Sequence, residues 1–113
     1  MGRPEAIAGE FLPGTLGLLI LRALRAGSLH GYAISKRIRE ASGQALVIEE
    51  GSLYPALNRL LVKGWVVAEW GISENNRRAR FYELTTLGRQ QLERETVEFE
   101  RLVDAIRLVM STV

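Results

Sequence analysis

Cysteine is absent from this chain. That excludes disulfides, cysteine-based zinc sites and thiol catalysis, and it fits a reducing cytoplasm. Histidine occurs once, as His30, so histidine-rich metal sites are excluded as well. The longest apolar run, Leu16 to Leu21, is far shorter than the roughly 20 residues a membrane-spanning helix needs. The opening MGRPEAIAGEF has an acidic residue early and no apolar stretch, so no signal peptide is expected and the protein is placed in the cytoplasm. There is no nucleophile–base pair, no metal-ligand spacing and no glycine-rich phosphate loop. An enzyme is therefore not expected, nor a metal or cofactor.

What is present fits one small domain. The chain has 113 residues, 47% hydrophobic and 25% charged, which is ordinary for a globular protein with a modest core. Net charge is only +2, but its distribution is uneven. Residues 1–43 carry six basic and three acidic side chains, residues 44–84 five of each, and residues 85–113 four basic and five acidic. Within the middle segment Arg77, Arg78 and Arg80 cluster. A nucleic-acid partner would thus meet the first two thirds of the chain.

Residues 1–12 lack periodicity and read as a loose arm. Pro13-Gly14-Thr15 is a helix-start signal with Thr15 as N-cap. Leu16 to Ala26 then reads as a helix, apolar on most sides and hence buried, ended by Gly27. A second helix is expected from Gly31 to Ala41, with Tyr32, Ile34 and Ile38 inward and Lys36, Arg37 and Arg39 outward, closed by Ser42-Gly43. His30 before it reads as a cap or turn residue, and Gly31 as allowing a tight helix start. Val47-Ile48 is a short extended piece.

The stretch GSLYPALNRLLVKG, Gly51 to Gly64, carries the most information. It predicts a third helix over Ser52–Lys63, capped by Ser52, with Pro55 in the first turn. Leu53, Leu57, Leu60 and Leu61 share one face, and Tyr54, Asn58, Arg59 and Lys63 the other. Gly64 stops it. Trp65–Trp70 and Arg78–Leu84 are strands of a hairpin whose loop holds Asn75-Asn76. Trp65, Trp70 and Phe81 are expected to pack core and hairpin. A last helix starts at Thr85 or Thr86 and reaches about Met110. Leu92, Phe99 and Ile106 are seven apart, and Thr96, Val103 and Met110 interleave with them, a coiled-coil-like seam that Leu102 widens. Such a surface calls for a cover, and a second copy of the chain is the natural one.

The fold class expected is α+β, mostly α: a winged helix-turn-helix with a two-stranded wing and a C-terminal dimerisation helix. The divisions are an arm over 1–12, a DNA-binding domain over 13–85 and the dimerisation helix over 86–113. The third helix has the size of a major-groove reader, and the hairpin carries charge for the backbone. The DNA-contact set is Ser52, Tyr54, Pro55, Asn58, Arg59 and Lys63 on that helix, Arg77, Arg78 and Arg80 on the wing, and Lys36 on the preceding helix. Asn58 suits adenine, and Arg59 suits guanine or phosphate. Arg80 shares its face with the core residues Tyr82 and Leu84, so Arg77 and Arg78 are favoured over it. Lys63 also suits the helix dipole, and Tyr54 has a second reading beneath the wing. The dimer set is Leu92, Thr96, Phe99, Leu102, Val103, Ile106 and Met110. Phe99 either packs on its symmetry mate or stacks on a planar ligand. The competing class is a winged helix that binds a protein partner through its arginines.

Four pieces in order also carry a family resemblance: GTLGLLILRAL at 14–24, HGYAISKRI at 30–38, EGSLYPALNRLLVKGWVVAEW at 50–70 and RRARFYELTTLG at 77–88. Over roughly residues 12 to 110 the chain resembles the PadR family of bacterial transcriptional regulators, in the short form with one C-terminal helix. The resemblance implies a homodimer that represses transcription from two-fold symmetric operators on double-stranded DNA. It also implies, for some members, relief of repression by a small aromatic or hydrophobic effector near the dimer interface. Two positions depart from the pattern: Phe99 stands where many members have tryptophan, and Pro13 where a lysine is common.

Overall fold

The computed structural model describes residues 14–113. The expected arm over 1–12 and the contribution of Pro13 lie outside the described residues. Seven elements follow one another: α1 (Thr15–Ala23), β1 (Leu29–His30), α2 (Gly31–Ala41), α3 (Glu50–Val62), β2 (Val66–Ile72), β3 (Arg78–Leu84) and α4 (Thr86–Thr112).

α1 is capped by Gly14 in the left-handed region at φ 84°, without a side-chain bond, so Thr15 is the first helical residue and not the cap. The helix also ends three residues earlier than its apolar pattern implies. Arg25 N donates to the Arg22 carbonyl and Gly27 N to the Leu24 carbonyl, tightening the chain into three-residue turns while Leu24 stays fully buried. α1 is the centre of the core, with Ile20, Leu21 and Leu24 completely covered.

α2 has the expected bounds, and His30 is its N-cap: Nδ1 accepts from Ala33 N at 3.2 Å. The imidazole therefore presents an unprotonated Nδ1 to the helix. Ile34 and Ile38 are buried as expected, but Tyr32 is not with them; it is 66% exposed. Two residues along a helix is about 200° of rotation, so Tyr32 and Ile34 cannot share a face. Gly31 is the first residue of α2, and its missing side chain also leaves room for a neighbour. A Cβ there would lie 2.7 Å from the Tyr54 hydroxyl, so glycine makes room for a side chain of the next helix.

The turn between α2 and α3 passes through Gly43 at φ 64° and Gln44 at φ 70°. It is tied by Ser42, whose Oγ donates to the Arg39 carbonyl and accepts from Leu46 N. Val47-Ile48 is not a strand; Leu46 forms an isolated bridge, and Ile48 is buried with its carbonyl accepting from Ser35 Oγ.

α3 begins at Glu50, two residues before the expected start, with Glu49 in the capping position. Ser52 is thus inside the helix rather than its cap, its N–H donating to the Glu49 carbonyl. Two glutamates at the positive end of the helix dipole favour the earlier start. Pro55 is consequently the sixth helical residue rather than part of the first turn, and it withholds a donor from the Gly51 carbonyl. Leu53, Ala56, Leu57 and Leu60 are buried against α1 and the sheet. Burying each leucine contributes about 1.5–3 kcal/mol, enough to hold the helix despite the proline.

The hairpin pairs Val66 with Leu84 through to Ile72 with Arg78, antiparallel. β2 starts one residue after Trp65 and runs two past Trp70. β1 adds a third strand, Leu29 opposite Tyr82 and His30 opposite Phe81, giving the order β1-β3-β2. Two residues are too few to show alternation, so this strand leaves no mark in the sequence. Val66, Tyr82 and Leu84 face the helices and are buried; Val67 and Glu83 face out.

α4 is capped by Thr85, whose Oγ1 accepts from Gly88 N at 2.9 Å and donates to the Gly64 carbonyl at 2.7 Å. Its first turns pack tightly: a Cβ on Gly88 would sit 1.9 Å from the Trp65 carbonyl oxygen. Leu92, 5% exposed, closes the core against α1. Beyond it the helix leaves the body of the protein, and Phe99, Leu102, Ile106 and Met110 are exposed.

Candidate nucleic-acid interface

α2, its turn and α3 are a helix-turn-helix, and the β2–β3 hairpin beside it is a wing. The buried leucines of α3 turn the opposite face outward, where Tyr54, Pro55, Asn58, Arg59 and Lys63 are exposed and Ser52 is half-buried. Lys63 is the helix C-cap, and its ammonium lies 4.6 Å from the Trp65 ring centroid. That contact and the dipole account for part of its placement.

The wing tip is closed by Ser73. Its N–H donates to the Arg77 carbonyl at 2.8 Å, and its Oγ accepts from Arg77 N at 3.3 Å. Asn76 takes the left-handed position at φ 56°; asparagine tolerates it better than most side chains. Arg77, Arg78 and Arg80 are all exposed. The Arg78 guanidinium carbon stands 4.6 Å from the Trp70 ring centroid, and that of Arg80 5.8 Å from Tyr82.

Between α2 and the wing runs an open cleft of roughly 1490 Å³. It is larger and more open than a small-molecule pocket, which is typically about 300–1,000 Å³ and enclosed. Lys36 and Arg37 of α2, Tyr54 of α3 and the three wing arginines line it. The cleft therefore gathers five members of the sequence-derived set: Lys36, Tyr54, Arg77, Arg78 and Arg80. Asn58, Arg59, Lys63, Ser52 and Pro55 stay outside it, on α3.

Tyr54 reaches back from α3 to the start of α2. It is 47% exposed, yet its hydroxyl lies against Gly31. Burial, then the charge of Glu50 and the neighbouring Tyr82, push its pKa above the ordinary phenol value, so it is a neutral hydrogen-bond donor.

Sequence reasoning missed Tyr32 and Trp70, both of which line the cleft. Trp70, expected to pack core and hairpin, is 59% exposed. Tyr32 stacks on His30 at 6.4 Å, and His30 meets Phe81 edge-on at 5.4 Å. The helical period alone would have placed Tyr32 outside; nothing in the sequence marks Trp70, whose exposure follows from the strand outrunning the core. Leu92, expected on the dimer seam, is instead covered within its own chain.

A helix-turn-helix flanked by a charged hairpin, with a long helix after it, defines a winged-helix protein. The family model of PadR-like transcriptional regulators matches residues 20–94. A negative transcriptional regulator of Bacillus subtilis (strain 168), PadR, is 27% identical over 88 residues, spanning 78% of this chain and 48% of that protein. A solved transcriptional regulator from Clostridium thermocellum superimposes with a TM-score of 0.75 at 32% identity, covering 83% of this chain and 91% of that one. Bacillus subtilis PadR, solved in complex with operator DNA, superimposes with a TM-score of 0.64 at 30% identity, covering 73% of this chain and 46% of that one. The chain belongs to the PadR-like family of transcriptional regulators, and its members are regulators rather than enzymes.

Proposed function

We propose that this protein is a homodimeric repressor that binds operator DNA. The observation that carries the reading is the apposition of an exposed polar α3 face with a cleft lined by cations from α2 and the wing. α3 enters the major groove, where Asn58 and Arg59 address base edges. Arg77, Arg78, Arg80 and Lys36 hold the flanking phosphates. The related Bacillus subtilis PadR, solved with operator DNA, supports the same use of the fold here.

The dimer reading rests on α4. Phe99 is 43% exposed, and Leu102, Ile106 and Met110 lie more open still, with half-buried Thr96 and Val103 beside them. A second copy laid along this stripe covers it, and the two α3 helices then reach successive major grooves about 34 Å apart. Residues 13–85 would serve as the DNA-binding unit and 86–113 as the dimerisation helix, with Gly88 and Leu92 anchoring the second to the first. A small aromatic effector would stack at Phe99, change the angle between paired α4 helices and so move the half-sites.

The test is fluorescence anisotropy with the DNA upstream of the protein's own gene, beside scrambled DNA, over a salt series. Tight, selective, salt-steep binding is expected. Weak binding to both DNAs without a salt slope overturns the DNA reading and points to a protein partner.

A further inference from the structure

Trp70 stands out once the core is accounted for. It lies on the helix-facing side of β2, yet it is 59% exposed while Val66 on the same side is buried. The core ends before it, so hydrophobic burial does not explain an indole at this position. What the indole does touch is charge. Register places Trp70 directly opposite Arg80 and one pair from Arg78, all on one face. The Arg78 guanidinium carbon lies 4.6 Å from its ring centroid, inside cation–π range. Further along the same strand, Arg80 stands over Tyr82. The cleft side of the wing is a ladder of aromatic rings and guanidinium groups.

We propose that Trp70 is a positioning residue: its ring fixes the Arg78 guanidinium in the attitude that meets a DNA phosphate. The inference deepens the DNA-binding reading and rests on it. A guanidinium bonds through its edge and stacks through its face. An arginine lying on a ring therefore keeps its N–H donors free for a bidentate phosphate contact. A free arginine loses much rotamer freedom when it binds; one already held on a ring loses less. When DNA covers the wing, water leaves the pair and the attraction between ring and cation rises.

The test is a double-mutant cycle on the full chain with a labelled random-sequence duplex of about three helical turns, read by anisotropy over a salt series. A random duplex suffices because phosphate contacts are independent of sequence. Trp70→Ala is expected to weaken binding about fivefold. Trp70→Phe should restore most of that loss, and Trp70→Leu, equally apolar but without a π face, should not. In an Arg78→Ala background, Trp70→Ala should add almost nothing. The log–log salt slope should be unchanged by Trp70→Ala, which removes no phosphate contact, and flatter by about 1.8 in Arg78→Ala, one contact being lost at each wing of the dimer. Equal losses in both backgrounds, or rescue by leucine, overturn the positioning role while leaving DNA binding intact. A wild-type protein that binds no duplex in a salt-dependent way overturns the DNA reading itself, and this inference with it.

Discussion

Gly88 sits where α4 starts against the hairpin, and its missing side chain decides how close the two come. A methyl there would stand 1.9 Å from the Trp65 carbonyl oxygen, a backbone atom that cannot swing aside. Gly88→Ala should therefore lower stability by about 3 kcal/mol, near the upper end of overpacking losses; urea denaturation measures it, and a loss below about 0.5 kcal/mol would mean that α4 begins differently. Asn58 is the contrasting case, exposed and without a packing duty. Asn58→Ala should leave stability unchanged and reduce discrimination at one base position by about 1–3 kcal/mol. Binding to a panel of operator variants reads this, and an unaltered ranking with unaltered spread would remove Asn58 from base reading. Neither residue announces its task. Gly88 reads in sequence as an ordinary glycine in a helix, while Asn58 could be named only because its helix had been recognised.

At the scale of elements, the joints matter more than the interiors. Thr85 binds the wing to α4, accepting from Gly88 N and donating to the Gly64 carbonyl at the end of α3. Thr85→Val keeps the shape and loses both bonds, so a destabilisation of about 1–2 kcal/mol is expected; Thr85→Ser should retain most of the stability. Thermal melts of the two variants side by side check it, and equal melting temperatures would show the cap to be idle. The wing is the other element with a testable charge. Arg77→Ala with Arg78→Ala should weaken all DNA sequences alike and reduce the salt slope by about 3.6, two contacts being lost at each wing of the proposed dimer. An unchanged slope would take the wing out of the interface.

The whole molecule is a small core with a long helix extending from it. Its core residues come from α1, α2, α3, the sheet and the first two turns of α4, with Leu24 and Ile48 added from the connections. Among the described residues nothing closes over the rest of α4, and Phe99, Leu102, Ile106 and Met110 lie exposed along it. Phe99→Asp with Ile106→Asp should leave the proposed dimer a monomer with the winged helix still folded, because neither side chain belongs to the core. Sedimentation velocity reads the mass and circular dichroism the fold. A persistent dimer would move the interface away from the α4 stripe. The monomer should also bind DNA far more weakly, since it loses the second half-site.

Sequence alone determined the elements with long periodic runs. α2 and the strand Arg78–Leu84 have the bounds their patterns imply, and of the α3 leucines that share a face Leu53, Leu57 and Leu60 are buried and Leu61 half-buried. Local chemistry suffices there, because a period of 3.6 or 2 recurs often enough to register. The helix ends shifted, at Ala23 and at Glu50, because capping is settled by a few backbone bonds and charges that side-chain spacing does not encode. Tertiary structure decided the rest. It recruited Leu29 and His30 as a strand, used Gly31 to admit Tyr54, and drew Leu92 from the apolar seam of α4 into the core. It also set Tyr32 and Trp70 beside the arginines across a cleft whose walls lie some forty residues apart in the chain. Those assignments depend on which surfaces meet, and meeting is a property of the packed molecule rather than of any stretch of it.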